Sequence, residues 1–239
     1  MLGRFIELAV PSREPLASAE FYGKLGFSIA PETGSVSSAT ATFSDGRISL
    51  GLYESSVQEP TLVFVRPDLA RALEQFEDAG LIVDTAAIGD HAFNQIDGRI
   101  RGGLRVRIIE ARTSSPVPQK PSLLGWFEEI SFPMVQPDTD GLESFGFVLF
   151  DTSSAVGRRV TLTNDAVTIG LHGAHLHPHA WLTFENDDIN QLRHSLASRG
   201  ILEDRSMMPG FDRSHGLILM SPESLPIFVK ASDNAREAR

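Results

Sequence analysis

The strongest constraint on the fold is that the sequence repeats itself. Asp68–Asp84 matches Asp188–Asp204 without a gap at an offset of 120 residues. Ile48–Tyr53 matches Val167–His172, in the same order along the chain. Because several ordered matches rarely arise by chance, the pattern predicts two halves with the same architecture.

A proline-rich stretch separates the two halves. Residues 113–122 contain three prolines and no apolar periodicity, which is typical of a connection between domains. We therefore predict a first domain at 1–112, a linker at 113–124, a second domain at 125–233 and a tail at 234–239.

The first half opens with a strand, a helix and a hairpin. In Phe5–Val10 the large aliphatic residues Ile6, Leu8 and Val10 share one parity, as a half-buried strand requires. Ser12 is a suitable N-cap, Pro15 suits a first helical turn and Gly26 can end the helix. Ser44-Asp45-Gly46 then predicts a hairpin between two further strands.

Three further units follow the same plan. Strands at Thr61–Val65 and His179–Phe184 precede helices that begin near Asp68 and Asp188. In the third unit only residues 137–145 remain for a helix after its opening strand, so that helix is predicted to be short or irregular.

These segments resemble a known family. Ala19–Phe27, which ends in Phe-Tyr-Gly-Lys-Leu-Gly-Phe, is similar to the opening of vicinal oxygen chelate modules, the family of glyoxalases, bleomycin-resistance proteins and extradiol dioxygenases. The openings at Thr61–Phe64 and Trp181–Phe184 resemble the same modules. The resemblance implies an α+β fold, with four βαβββ modules paired into two glyoxalase-like domains with curved mixed sheets. It also implies a small-molecule ligand on the concave face of a sheet, often with a divalent metal.

In that family the metal ligands are His, Gln or Glu on the opening and last strands of the modules. The positions that correspond by resemblance are Phe5, Thr61 and Glu110 in the first half, and Glu129, Trp181 and Phe228 in the second. Only the two glutamates are suitable ligands, so neither half has the full metal set at these positions.

Strand parity predicts the concave face of the first half. Phe5 and Glu7 would share this face with Tyr53, giving an apolar cup in which Glu7 is a candidate general base. The alternative places Glu7 at the rim, against water or an arginine. If Glu110 lies in the cup, the same parity turns Arg107 toward the helices.

The concave face of the second half is predicted to be more polar and more aromatic. Glu129, His172 and His179 are candidate ligands of a rearranged metal site. In a metal-free alternative, Trp181 stacks on a planar ligand while Glu129 and His179, also catalytic candidates, hydrogen-bond to it, with Thr168 nearby. The histidines of this stretch are equally compatible with an exposed polar connection.

Composition narrows the partners. The chain has a formal net charge of −10 and no cysteine, which argues against nucleic acid, anionic membranes, disulfides and thiolate sites. We expect a cytoplasmic monomer or homodimer.

Three functions remain open at this stage. The first is metal-free binding of a small aromatic or hydrophobic molecule. The second is catalysis by a metal-dependent lyase, isomerase or dioxygenase. The third is a purely structural role.

Overall fold

The computed structural model describes residues 2–29, 39–54, 56–89, 94–111, 120–135, 139–151, 159–164, 166–175, 177–205 and 213–232. Within these ranges the first half forms one mixed sheet of eight strands. In chain order they are β1 (Arg4–Pro11), β2 (Ser28–Ile29), β3 (Ala41–Ser44), β4 (Ser49–Tyr53), β5 (Thr61–Arg66), β6 (Ile82–Ala87), β7 (Gln95–Arg99) and β8 (Arg105–Glu110).

The second half forms a corresponding sheet, with seven strands in the described residues. They are β9 (Trp126–Met134), β10 (Val148–Asp151), β11 (Arg159–Thr163), β12 (Thr168–Gly173), β13 (Trp181–Asn186), β14 (Gly216–Met220) and β15 (Pro226–Ala231).

Strand order shows how the modules pair. The first sheet runs β2-β3-β4-β1-β5-β8-β7-β6, and the second runs β10-β11-β12-β9-β13-β15-β14. In each half the opening strands of the two modules lie antiparallel at the centre, as β1 with β5 and as β9 with β13. Each opening strand is also parallel to the last strand of its own module. The predicted α+β fold with curved mixed sheets is confirmed.

The helices follow the sequence signals closely. They are α1 (Pro15–Leu25), α2 (Leu69–Asp78), α3 (Asp140–Glu143) and α4 (Ile189–Ser198). Gly26 ends α1 in the left-handed region, as predicted, with φ of 90°. The N-cap of α1 is Glu14 rather than Ser12. The four residues of α3 confirm the prediction of a short third helix.

One hydrophobic core lies between the two sheets and includes residues of both halves. Phe27 and Phe184 meet edge to face at 6.5 Å, and Phe76 lies 6.4 Å from Phe145. A polar link adds to these contacts: the Tyr22 hydroxyl donates to Glu223 Oε2 over 3.1 Å. The two sheets are therefore held together by packing as well as by the chain that joins them.

The predicted boundaries remain predictions, because the linker up to residue 119 and the tail at 234–239 lie outside the described residues. Leu123, near the end of the predicted linker, contacts both halves. The Leu123 amide donates to Leu25 O over 2.8 Å, and its carbonyl accepts from Asn186 over 3.0 Å.

Candidate functional site

Each sheet has a second face, turned away from the shared core, that carries its own small apolar cluster. We call these faces the first cup, defined by Ala9, Tyr53, Val57, Val63, Val65 and Ile109, and the second cup, defined by Trp181, Ile218 and Phe228. Their polar groups are the candidates for function.

A buried glutamate lies at the centre of the first cup. Glu7 is 3% exposed, although carboxylates are seldom buried without partners. The Tyr53 hydroxyl donates to Glu7 Oε1 over 2.6 Å, and Thr42 Oγ1 donates to Oε2 over 3.2 Å. Glu7 therefore lies inside the cup, as predicted from strand parity, and not at its rim.

The second cup contains an equivalent glutamate. Glu129 is 1% exposed and accepts from Ser131 Oγ over 2.5 Å and from Thr161 Oγ1 over 3.4 Å. The strand registers show that Glu129 corresponds to Glu7. Glu7 lies opposite Val63, the third residue of β5, and Glu129 lies opposite Thr183, the third residue of β13. The two halves thus repeat the same buried carboxylate.

A glycine beside each carboxylate explains part of the sequence repeat. A Cβ atom on Gly51 would lie 2.6 Å from Glu7 Oε1, and one on Gly170 would lie 2.7 Å from Glu129 Oε1. Both distances are too short for nonbonded atoms. The glycine in each matching segment therefore leaves room for the glutamate to lie across the neighbouring strand.

Phe5 does not share a face with Glu7, so that prediction is wrong. The register between β1 and β5 shifts between these two residues, and Phe5 pairs with Phe64. Their rings meet edge to face at 5.7 Å on the side of the shared core. One extra residue in a strand reverses the face of every residue before it.

Arg107 lies in the first cup, and its predicted position toward the helices is wrong. Its guanidinium carbon is 5.5 Å from the centre of the Tyr53 ring. Nε donates to Asp97 Oδ1 over 2.6 Å, and Nη2 donates to the Ser56 carbonyl over 3.1 Å. A basic side chain therefore accompanies Glu7 in this cup.

Glu110 lies on the opposite face of the same sheet. Its carboxylate accepts from the Leu69 amide at the start of α2 over 3.4 Å and from the Asn94 amide group. A carboxylate at a helix N-terminus is favourable for the helix. Glu110 is therefore outside the first cup, where a last-strand metal ligand would have to lie.

Aromatic rings pack together in the second cup. The His172 ring stacks on Trp181 at 3.7 Å with an interplanar angle of 28°, and Phe228 meets Trp181 edge to face at 5.3 Å. Trp181 Nε1 donates to Thr183 Oγ1 over 3.2 Å. Trp181 and His172 thus lie together, as the sequence predicted.

The proposed metal ligands do not converge in the described residues. His179 is exposed, and its backbone amide donates to His177 Nδ1 over 3.2 Å. Thr168 faces Thr163, with 3.1 Å between their hydroxyl oxygens. In the described ranges no three His, Asp or Glu side chains form a group that could hold a metal ion. A site built from Glu129, His172 and His179 therefore does not fit this arrangement.

A charged cluster near the second cup was missed in the sequence. Lys230 Nζ lies 2.7 Å from Glu128 Oε1 and 3.0 Å from Glu185 Oε1. Burial raises the pKa of Glu128 and outweighs the opposing effect of Lys230, while Glu129 and Glu185 raise it further. Burial lowers the pKa of Lys230, but its bonds to the two carboxylates outweigh burial and the net pKa is raised. Lys230 lies opposite Glu185 on the neighbouring strand. The sequence alone does not reveal this pairing, because the two residues are far apart along the chain.

We expect Glu128→Gln to change how stability depends on pH. A carboxyl group whose pKa is raised on folding stabilises the fold below its ordinary value of 4.5, and this stabilisation is lost as pH rises through the folded pKa. The neutral glutamine has no such loss. Relative to wild type, the variant should therefore gain stability as pH rises from about 4 toward neutrality, measured by urea unfolding.

Glu20→Gln is the matched control. Lys24 lowers the pKa of Glu20, so the stability that this pair contributes is lost as pH falls. The two variants should therefore shift relative to wild type in opposite directions over the same pH range. A Glu128 variant that follows the pH profile of wild type would contradict the assignment.

Comparisons with known proteins agree with this architecture. The chain is similar to a variant of homoprotocatechuate 2,3-dioxygenase from Brevibacterium fuscum, with TM-score 0.65, 12% identity, and coverage of 97% of this chain and 72% of that one. It is also similar to 2,2',3-trihydroxybiphenyl 1,2-dioxygenase from Sphingomonas wittichii, with TM-score 0.60, 14% identity, and coverage of 97% and 91%. A third similar structure is the Mn(II)-bound glyoxalase from Novosphingobium aromaticivorans, with TM-score 0.59, 14% identity, and coverage of 95% of this chain and 81% of that one.

No protein-family model matches the sequence, and no curated protein matches it either. Among the described residues, no helix is both long enough and apolar enough to cross a membrane. At identities this low, structural similarity shows a shared fold but not a shared reaction. On the combined strength of its paired modules and these structural neighbours, the chain has the vicinal oxygen chelate fold.

Proposed function

We propose that this protein binds a small aromatic or hydrophobic molecule in the second cup, without the metal site that is usual for this fold. The observation that carries the proposal is the aromatic cluster of His172, Trp181 and Phe228 beside the buried carboxylate of Glu129. Small-molecule pockets typically combine aromatic walls with a few fixed polar groups.

The placement of the polar groups supports this proposal. Ser131, which donates to Glu129, is the cross-strand neighbour of Trp181. A ring that stacks on or displaces His172 would therefore lie close to a hydrogen-bonded carboxylate. Two of the structural neighbours are named for aromatic diols or triols as substrates, which suggests hydroxylated aromatic rings as first probes.

The chain offers a direct optical test. It contains two tryptophans, Trp126 and Trp181, so Trp126→Phe leaves only the tryptophan of the second cup. We expect hydroxybiphenyl to change the fluorescence of this variant saturably. We also expect Trp181→Leu, in the otherwise unchanged protein, to weaken binding measured by calorimetry by up to about tenfold, the contribution of one aromatic contact.

A metal-dependent enzyme is the alternative outcome of the same experiment. Protein purified without a histidine tag is analysed for bound metal, and the titration is repeated with added Mn(II). Metal in a stoichiometric amount, together with binding that depends on it and on His179, would contradict the metal-free proposal. Fluorescence that does not respond to hydroxybiphenyl under either condition would contradict binding in the second cup.

A further inference from the structure

The first cup contains a buried basic group with unused hydrogen-bonding capacity. Arg107 is 5% exposed, with Nε bound to Asp97 and Nη2 bound to the Ser56 carbonyl. Its third nitrogen, Nη1, is buried and has no hydrogen-bond partner among the described residues. Buried donors without an acceptor are rare because they lose their bonds to water and gain nothing in return.

The surroundings of Arg107 limit what could provide that acceptor. On its own face of the sheet, Val63 lies beside it on β5, and Tyr53 covers it at 5.5 Å. Val65 and Ile109 extend the apolar wall. A molecule that reaches Nη1 through the cup must therefore be mainly apolar and carry an oxygen that accepts a hydrogen bond.

Charge then decides between an anion and an uncharged molecule. Asp97 already neutralises Arg107 at 2.6 Å. Glu7 lies on the same row of the cup, two strands away through Val63, and is joined to Tyr53 by a 2.6 Å hydrogen bond. A carboxylate placed at Nη1 would be a second negative group beside Asp97 around one guanidinium, in a region with little water to screen the repulsion.

We infer that the first cup is a second binding site, which takes an uncharged, largely apolar molecule with a carbonyl-type oxygen, and that Arg107 Nη1 binds that oxygen. The equivalent position in the second half is Phe228, so the second cup has no such donor there. The inference concerns a different cup from the proposed function, and it does not depend on it.

Acetophenone and benzoate provide a matched pair of probes, because they share a ring of the same size and differ in charge. We expect acetophenone to bind saturably in calorimetry, with benzoate binding at least about tenfold more weakly. This comparison uses the unmodified protein and so does not depend on whether a variant folds. Equal or tighter binding of benzoate would overturn the inference, as would the absence of saturable acetophenone binding.

Substitutions then locate the site. Arg107→Lys keeps a positive charge beside Asp97 but removes the nitrogen that faces the ligand, and should weaken acetophenone binding about tenfold. Arg105→Lys is the control, since Arg105 lies on the same strand but pairs with Glu59 and Asp84 at the surface. It should bind as wild type does.

The two cups are distinguished by the tryptophan. Trp181→Leu should leave acetophenone affinity unchanged if the ketone occupies the first cup. If that substitution removes acetophenone binding while Arg107→Lys has no effect, the ketone binds in the second cup. The inference then fails while the proposed function stands. If instead acetophenone binds as expected but hydroxybiphenyl does not bind, the proposed function fails while this inference stands.

Discussion

Phe184→Ala is expected to lower the free energy of unfolding by about 3–5 kcal/mol, the usual cost of deleting a fully buried aromatic side chain. Phe184 is fully buried and contacts Phe127 of its own half at 5.4 Å and Phe27 of the other half at 6.5 Å. Because the core is shared, the substitution should weaken the whole molecule and not only the second sheet.

The distribution of aromatic residues allows each half to be followed separately. Both tyrosines, Tyr22 and Tyr53, lie in the first half, whereas both tryptophans lie in the second. Second-derivative absorbance of tyrosine and fluorescence of tryptophan should therefore report the two halves in one urea titration. We expect the two transitions to coincide in wild type, as cooperative unfolding requires, and to shift together in Phe184→Ala.

Phe150→Ala is the matched control for this experiment. Phe150 lies on the edge strand β10 and is 73% exposed, so its loss should change stability by less than about 0.5 kcal/mol. Tyrosine and tryptophan transitions that separate in wild type would contradict a shared core. A Phe184 variant in which only the tryptophan transition moves would do the same.

The sequence was sufficient for the fold because the relevant signals are local. Alternation in β1, the glycine after α1 and the repeated segments each depend on a few neighbouring residues. Their agreement across four modules predicted the two sheets. The short α3 also followed from the number of residues available for it.

The candidate site was predicted less well because its geometry depends on strand pairing. Parity in β8 was counted correctly, but Glu110 was assumed to lie in the cup, which turned Arg107 toward the helices. The salt bridge that holds Arg107 in the cup comes from Asp97 on β7, whose register no local pattern gives.

A bulge caused the other error. The register shift after Phe5 moves this residue to the core side while leaving Glu7 in the cup, and no turn residue marks it in the sequence. The same shift occurs in β9, next to Glu129. The duplicated carboxylate was missed for a separate reason: Glu129 was matched to Phe5, whereas the strand registers match Phe127 to Phe5 and Glu129 to Glu7.

That duplicated carboxylate leads to the second large expected effect. Gly170→Ala should lower the free energy of unfolding by about 1–3 kcal/mol, the cost of an added methyl group in a site with no room for it. The new Cβ would lie 2.5 Å from Ser131 Oγ and 2.7 Å from Glu129 Oε1. The carboxylate would have to move away from the hydroxyl groups of Ser131 and Thr161, which both donate to it.

Removing the carboxylate should relieve that conflict. Glu129→Ala leaves space where the new methyl group would point, so Gly170→Ala should cost less in the Glu129→Ala protein than in wild type. The double variant should be more stable than the sum of the two single changes by about 1 kcal/mol, a coupling typical of residues in direct contact. Urea unfolding of the four proteins measures it.

Gly23→Ala controls for the general effect of replacing glycine. Gly23 lies inside α1 with nothing within 4 Å of the new Cβ, so alanine there should be neutral or stabilising by up to about 1 kcal/mol. If the packing of a glutamate against a glycine is a true repeat, Gly51→Ala and Glu7→Ala should show a coupling of the same sign as their counterparts in the second half. Purely additive effects in both halves would mean that neither glycine exists to accommodate its glutamate.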